Sequence, residues 1–260
     1  MAELMEQRGR GPGGRLDDRL GELVAAAWPA LHSQDMAGWT LRSAHGVTKR
    51  ANSVLALGEP ADPDAAIAAV ERHYAALGLP PVFTVTGRSR PADLDARLAA
   101  RGYAEVDRTL AMAADLGPGG ADPEVEIADA PSPAWLDTWW SVDGRFPGGL
   151  AVAERILAGV PAGYASLAGA AVGRGVPQGE WLGVYAMAVV PEARRQGLAR
   201  RVLRSLMAWG RAQGCRRAYL VVVEANAGAR ALYESEGFRP AGHYHYRVGK
   251  ARRNADTLRS

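Results

Sequence analysis

Residues 181–199 read WLGVYAMAVVPEARRQGLA, and this stretch decides the fold. An apolar run with strand character ends at Pro191, an Arg- and Gly-containing turn follows, and a long amphipathic helix starts near 195. The helix is expected to reach about 213, with Leu198, Val202, Leu203 and Leu206 on its inner face. Amides at a helix start have no internal partner, and the helix dipole adds partial positive charge there. Gly197 lets the backbone approach a bulky anion, and Arg194, Arg195 and Gln196 add donors. After Glu192 no acidic residue appears until Glu224, so nothing local repels a phosphate. Strand, turn and helix together describe an anion cradle suited to a pyrophosphate.

Working outward, residues 217–223 (RAYLVVV) are apolar on both faces, as in a central strand covered on both sides. A helix over 227–236, Gly237 and a strand over 238–247 follow; that last strand is a candidate edge for pairing with another chain. Upstream, the pattern gives a strand at 124–128, one or two helices in 133–158, and strands at 163–168, 170–174 and 180–190. Residues 115–123 (DLGPGGADP) carry two Pro and three Gly and read as a linker. Before them come a helix at 16–30, strands at 38–44 and 51–57, and a helix at 63–77 with Asp62 as N-cap. A strand at 82–86, a helix at 92–101 and a strand at 103–112 complete this half. The expected organisation is a disordered N-terminus over 1–15, one half over 16–115, a linker over 116–123, a second half over 124–250 and a tail over 251–260.

Arg194-x-x-Gly197-x-Ala199 resembles the Q/R-x-x-G-x-G/A motif of the GNAT acetyltransferase superfamily. Asn226-Ala-Gly-Ala-Arg-Ala-Leu-Tyr233-Glu-Ser-Glu-Gly237-Phe238 resembles that superfamily's N-x-x-A-x-x-L-Y-x-x-x-G-F block, at its usual distance. The resemblance is close over 181–247, looser over 124–180 and faint before that. It implies an α/β (α+β) fold, a mixed sheet flanked by helices, and transfer of an acetyl group from acetyl-CoA to a primary amine. It further implies that backbone groups of Met187 and Val189 hold the pantetheine arm, and that the amides of Arg195, Gln196, Gly197, Leu198 and Ala199, with Arg194, take the pyrophosphate. Asn226 would contact the cofactor arm, Arg230 is a further candidate for reaching it, and Tyr233 would stand near the sulfur as proton donor to the leaving thiolate. Some relatives carry a Glu six residues before the Val of this turn as general base; here that position is Gly183. Glu180, Tyr185, Glu224, His243 and His245 are therefore open candidates for that role, beside an amine that arrives neutral. Trp139, Trp140, Tyr164 and Tyr185 lie near the expected acceptor pocket. A non-catalytic acyl-CoA-binding sensor is the alternative reading.

The two halves look alike. Residues 74–103, ending LDARLAARGY, parallel 209–238, ending ARALYESEGF, and an offset of 135 aligns Gly102 with Gly237. On that offset Tyr233 falls on Leu98 and Asn226 on Pro91, and the place of the phosphate turn is taken by the acidic GEPADPD of 58–64. A carboxylate facing a phosphate is unfavourable, so the first half is expected to bind no CoA and to cover or shape the pocket of the second. The segment KRANSV at 49–54, also seen in tandem relatives, is expected to be a strand with a polar start.

Composition narrows the rest. The chain has 260 residues, 48% hydrophobic, with a net charge of +3. That balance is too mild for a nucleic-acid module, no apolar run reaches membrane-spanning length, and the first residues lack an apolar leader. Cys215 is the single cysteine, which excludes an intrachain disulfide and a zinc-type Cys cluster. No metal is expected, the setting is expected to be cytoplasmic, and the partner is expected to be an amine acceptor, small molecule or protein.

Overall fold

The computed structural model describes residues 16–251. The first half runs α1 (Leu16–Ala27), β1 (His32–Met36), β2 (Trp39–Ser43), a 3-10 turn at Lys49–Ala51, β3 (Val54–Ala56), α2 (Pro63–Ala76), β4 (Val82–Thr86), α3 (Leu94–Ala100) and β5 (Ala104–Asp115). The second runs β6 (Glu126–Ala128), α4 (Pro133–Asp143), α5 (Leu150–Leu157), β7 (Gly163–Leu167), β8 (Ala171–Gln178), β9 (Trp181–Val189), a 3-10 turn at Pro191–Ala193, α6 (Leu198–Ala212), β10 (Arg217–Val223), α7 (Ala227–Ser235) and β11 (Arg239–Val248). From β2 to β5 and from β8 to β11 the order of strands and helices is the same. Expectations for 1–15 and for the tail past 251 fall outside the described residues. Among the described residues no helix is long and apolar enough to cross a membrane.

All described strands join one sheet, ordered β1-β2-β3-β4-β11-β5-β10-β9-β8-β7-β6. The halves trade their last strands. β11 pairs antiparallel with β4 on one side and with β5 on the other. β5 in turn pairs antiparallel with β10, from Arg217↔Asp115 to Val223↔Thr109. This corrects the expectation that 238–247 is an edge. Tyr244 and Tyr246 are buried on one face of β11, while His245 and Arg247 on the other bind Asp95 of α3 at 2.8 and 2.7 Å. The strand's polar content is thus spent on a neighbouring helix rather than on solvent.

Helices cover both faces. On one face α1, α4 and α5 bury Leu20, Leu23, Trp135, Trp139 and Ile156 against Tyr185, Tyr219, Tyr244 and Tyr246. On the other, α6 and α7 bury Leu203, Leu206 and Tyr233 against Leu182, Leu220 and Val222. On that same side of the first half, α2 and α3 bury Ile67, Val70, Leu94 and Leu98 against Phe83 and Val85. Arg174 on β8, wholly buried, fastens α1 across the sheet. It donates to the Ala27 carbonyl at 2.8 Å and the Leu157 carbonyl at 2.7 Å. Both acceptors lie in last turns, where carbonyls lack intrahelical partners and the dipole favours a cation. The linker is held as well: Arg201 of α6 pairs with Asp122 at 2.6 Å, and the Asp122 amide donates to the Ser205 hydroxyl at 2.9 Å.

Candidate active site

Strands β9 and β10 pair in parallel from Trp181↔Arg217 to Val184↔Leu220, and there the pairing stops. Beyond that point their facing edges part and leave a cleft in the sheet. A bulge on β9 prepares this. Between Val172↔Ala188 and Arg174↔Tyr185, β9 has two residues opposite Gly173, and Ala186 sits at φ 51°. Tyr185 and Ala186 consequently both face the α1/α4 side. Past the bulge, the Val190 amide donates to the Ala170 carbonyl at 2.9 Å. Alternation then turns the backbone groups of Ala188 toward β8 and those of Met187 and Val189 toward the cleft. The Val189 carbonyl accepts from Arg194 Nε at 3.2 Å.

The turn after β9 ends at Gly197, which lies at φ 79° and caps α6 with no side chain of its own. Its carbonyl accepts the Arg201 amide at 3.1 Å. Among the described residues no backbone carbonyl takes the amides of Arg195 to Arg200. A Cβ built at Gly197 would meet no atom within 4 Å, so nothing crowds the turn at that residue. Arg194, Arg195 and Gln196 are exposed around it, and Leu198 and Ala199 are half-buried in the first turn of α6. Arg200 and Arg204, by contrast, are committed to Glu236 at 2.7 and 2.6 Å. The matching helix start in the first half differs in kind. At α2 the Asp62 carboxylate accepts the amides of Asp64 and Ala65, each at 3.0 Å, so a ligand would find those donors taken.

On α7, Asn226 is the N-cap and accepts the Ala229 amide at 3.1 Å. Arg230 donates to the Glu224 carbonyl at 3.2 Å and lies 3.9 Å from the Glu234 carboxylate. Tyr233 is buried beside Phe238, with ring centroids 6.0 Å apart, and its hydroxyl has no hydrogen-bond partner among the described residues. Burial pushes its pKa up to about 12, above the ordinary value near 10. Cys215 is buried, donates to the Trp181 carbonyl at 3.5 Å and stands away from this region.

On the opposite face of the sheet, a cavity of about 180 Å³ opens where β10 ends. Its walls combine Val221 and Val223 of β10 with Trp139, Trp140 and Phe146 from the second half and Trp28, Arg50 and Thr109 from the first. Trp139 and Trp140 line this cavity, while Tyr164 is tied to the Leu157 carbonyl at 2.6 Å instead. Gly183 has no room for the acid seen in some relatives. A Cβ there would stand 2.6 Å from the Tyr185 ring and 2.9 Å from the Tyr219 hydroxyl. Those phenols meet at 2.7 Å, and Tyr219 donates to Gln178 Oε1 at 2.5 Å. Tyr185 is therefore a donor in a buried chain, with burial raising its pKa, and is no base. Glu180 pairs with Arg217 at 3.0 Å at the far end of β10. His243 and His245 alternate with the cavity-lining Tyr244 and Tyr246, so both turn to the other face of β11. Glu224 remains beside the cleft, exposed at the end of β10. The sequence reading missed Trp28 and Arg50 as cavity residues. Its available signal was the KRANSV segment, where a 3-10 turn stands in place of the expected strand start.

Comparison with known proteins agrees with this architecture. A family described as "Probable histone acetyltransferase Rv0428c C-terminal" matches residues 19–248. The uncharacterized N-acetyltransferase YobR of Bacillus subtilis is 30% identical over 247 residues, covering 90% of this chain and 99% of the relative. The probable histone acetyltransferase Rv0428c of Mycobacterium tuberculosis is 32% identical over 229 residues, covering 86% of this chain and 70% of the relative. Among solved structures, a GCN5-related N-acetyltransferase from Kribbella flavida superposes with a TM-score of 0.65 at 16% identity, over 93% of this chain and 98% of that one. A tandem GNAT protein from the clavulanic acid biosynthesis pathway gives 0.53 at 14% identity, over 73% and 70%. With the open helix-start turn, the parted strands and these relatives in hand, the chain belongs to the Rv0428c C-terminal acetyltransferase family, within the GNAT superfamily.

Proposed function

We propose that this acetyltransferase moves the acetyl group of acetyl-CoA to a primary amine by direct attack on the thioester. The observation that carries the proposal is the run of unclaimed amides from Arg195 to Arg200, next to the strand parting that exposes Met187 and Val189. Preset amides of this kind bind a diphosphate without reorganisation, and cleft-facing backbone donors can steady an oxyanion. Arg194 and Arg195 add positive charge, and Asn226 and Arg230 flank the cleft from α7. The amine nitrogen bonds to the carbonyl carbon, the carbon–sulfur bond breaks, and the ammonium proton leaves to water in the half-open cavity. No enzyme nucleophile takes part, so rate comes from positioning and charge stabilisation. The first half supplies part of the acceptor pocket and no second cofactor site.

Tyr233 serves as hydrogen-bond donor to the departing thiolate. With a pKa of about 12 it is fully protonated under working conditions. Complete transfer to a thiolate whose conjugate acid lies near 8.5 runs uphill, so Tyr233 stabilises the developing charge and the net proton comes from the amine or solvent. Calorimetry with acetyl-CoA and CoA release across an amine panel test the reading: binding with amine-dependent thiol release is expected. Tight acetyl-CoA binding with no thiol release from any amine would favour the sensor; absence of binding at millimolar ligand would remove both.

A further inference from the structure

Arg50 stands on the floor of the acceptor cavity without a counter-ion. Its guanidinium carbon lies 5.0 Å from the Trp28 ring centroid and 5.6 Å from that of Tyr185. Tyr244 and Tyr246 line the same cavity, and no carboxylate pairs with Arg50 among the described residues. Its Nε is fully enclosed and has no hydrogen-bond partner. The other charges on this cavity are already matched: Lys49 holds Asp107 at 2.9 Å, and Arg145 holds Asp143 at 2.8 Å. Three cations therefore face two carboxylates, and the surplus is Arg50.

The segment around Arg50 is built to keep it there. Asn52 Oδ1 accepts the amides of Ala44 and Gly46 at 2.7 and 2.9 Å, and its Nδ2 donates to the carbonyls of Val47 and Thr48 at 2.7 and 2.8 Å. Arg42, itself buried, donates to the Arg50 carbonyl and to the Ser53 carbonyl. The Thr48 hydroxyl accepts from Trp28 Nε1 at 3.1 Å. A half-buried guanidinium with no counter-ion is costly, and an anion entering the cavity it lines offsets that cost. A planar carboxylate, matching the guanidinium fork with two parallel hydrogen bonds, completes it best.

We infer that the acceptor is a small amine that carries a carboxylate, and that Arg50, half-buried on the aromatic floor of the cavity, binds that carboxylate while the amine lies toward Val221 and Val223. This inference rests on the acetyl-transfer reading for the amine end, but the carboxylate end is measurable without it. Calorimetry on the wild-type chain compares acetate, 3-phenylpropionate and glutarate with their neutral amides. The acids are expected to bind about 10- to 100-fold more tightly than the amides, the range of a charge-assisted hydrogen bond. Arg50→Gln is expected to erase that preference and Arg50→Lys to keep part of it, each with acetyl-CoA affinity as an internal check. Thiol release from phenylalanine should exceed that from phenylalaninamide and phenethylamine by a similar factor. Equal binding of acids and amides, no binding of any acid, a preference that survives Arg50→Gln, or better turnover of phenethylamine than phenylalanine each overturns the assignment. If Arg50→Gln does not fold, the wild-type acid-against-amide comparison still decides. A chain that binds acids at Arg50 but neither binds nor turns over acetyl-CoA would sink the transferase reading alone.

Discussion

At the scale of single residues, the proposed cofactor turn and the proposed acceptor floor differ in how local their causes are. Gly197 at φ 79° with open space at its Cβ position is a property of a few consecutive residues, so the conformation of the turn over Arg194–Ala199 was legible in the chain. Gly197→Glu is expected to abolish the calorimetric signal with acetyl-CoA while leaving the circular dichroism spectrum native. The new side chain would be strained at positive φ and would put a carboxylate at the proposed diphosphate site. Tyr233→Phe is expected to lower kcat about 100-fold with the KM for acetyl-CoA unchanged, the mark of a donor used only as the thiolate forms. Because burial holds Tyr233 near 12, kcat should rise with pH as the amine loses its proton and show no downturn from this phenol between pH 8 and 10. A steady-state profile over that range checks it. Arg50 was hidden for the opposite reason. Its position depends on Trp28, Tyr185 and Tyr244, residues scattered over both halves, and nothing in the neighbouring sequence announces them.

Elements follow the same division. Asp62, Pro63 and the apolar stripe of α2 are local signals, and the helix starts where they place it. Asp62→Ala should cost about 1 kcal/mol in chemical denaturation, the usual loss for an N-cap, because two helix-start amides lose their acceptor. Strand identity was legible from apolar runs such as 217–223, but neighbours were not. β11 carries Arg239, His243, His245 and Arg247, which suits an edge, yet both its sides are paired. The bulge at Ala186 was equally silent, since alanine gives no warning of positive φ. The contact between β11 and α3 has a pH signature. Hydrogen bonding to Arg247, helped by His245, holds the Asp95 carboxyl at about 2, below its ordinary 3.8. Its stabilising contribution is complete above the unfolded value and fades as pH falls toward 2. Melting wild type and Asp95→Asn between pH 5 and 2 should show a steeper acid-side loss for wild type.

For the whole molecule, the exchanged strands matter more than the linker. The repeat in the sequence was visible from Gly102 and Gly237 and from the shared strand–helix order; the exchange was not, because β5 and β11 each fit either half by pattern alone. Core residues of β5 are completed on one side by β10 and on the other by β11. A chain cut between Gly117 and Asp122 should therefore give two fragments that fail to fold separately and reassemble when mixed. Heteronuclear NMR of each fragment, alone and combined, would reveal this; well-dispersed spectra from isolated fragments would contradict it. Thermal unfolding of the intact chain should follow one transition by both near- and far-ultraviolet dichroism, since neither half has a complete sheet.

The exchange also sets an order of events during synthesis. A ribosome releases β4, α3 and β5 long before β11, yet β11 is the strand that fits between β4 and β5. The early segments must wait, with a slot open between two apolar strands, until β11 has been translated. Nascent chains stalled before residue 239 should accordingly be the ones that holdase chaperones retain, and emergence of β11 is the moment at which the barrier to a closed sheet falls.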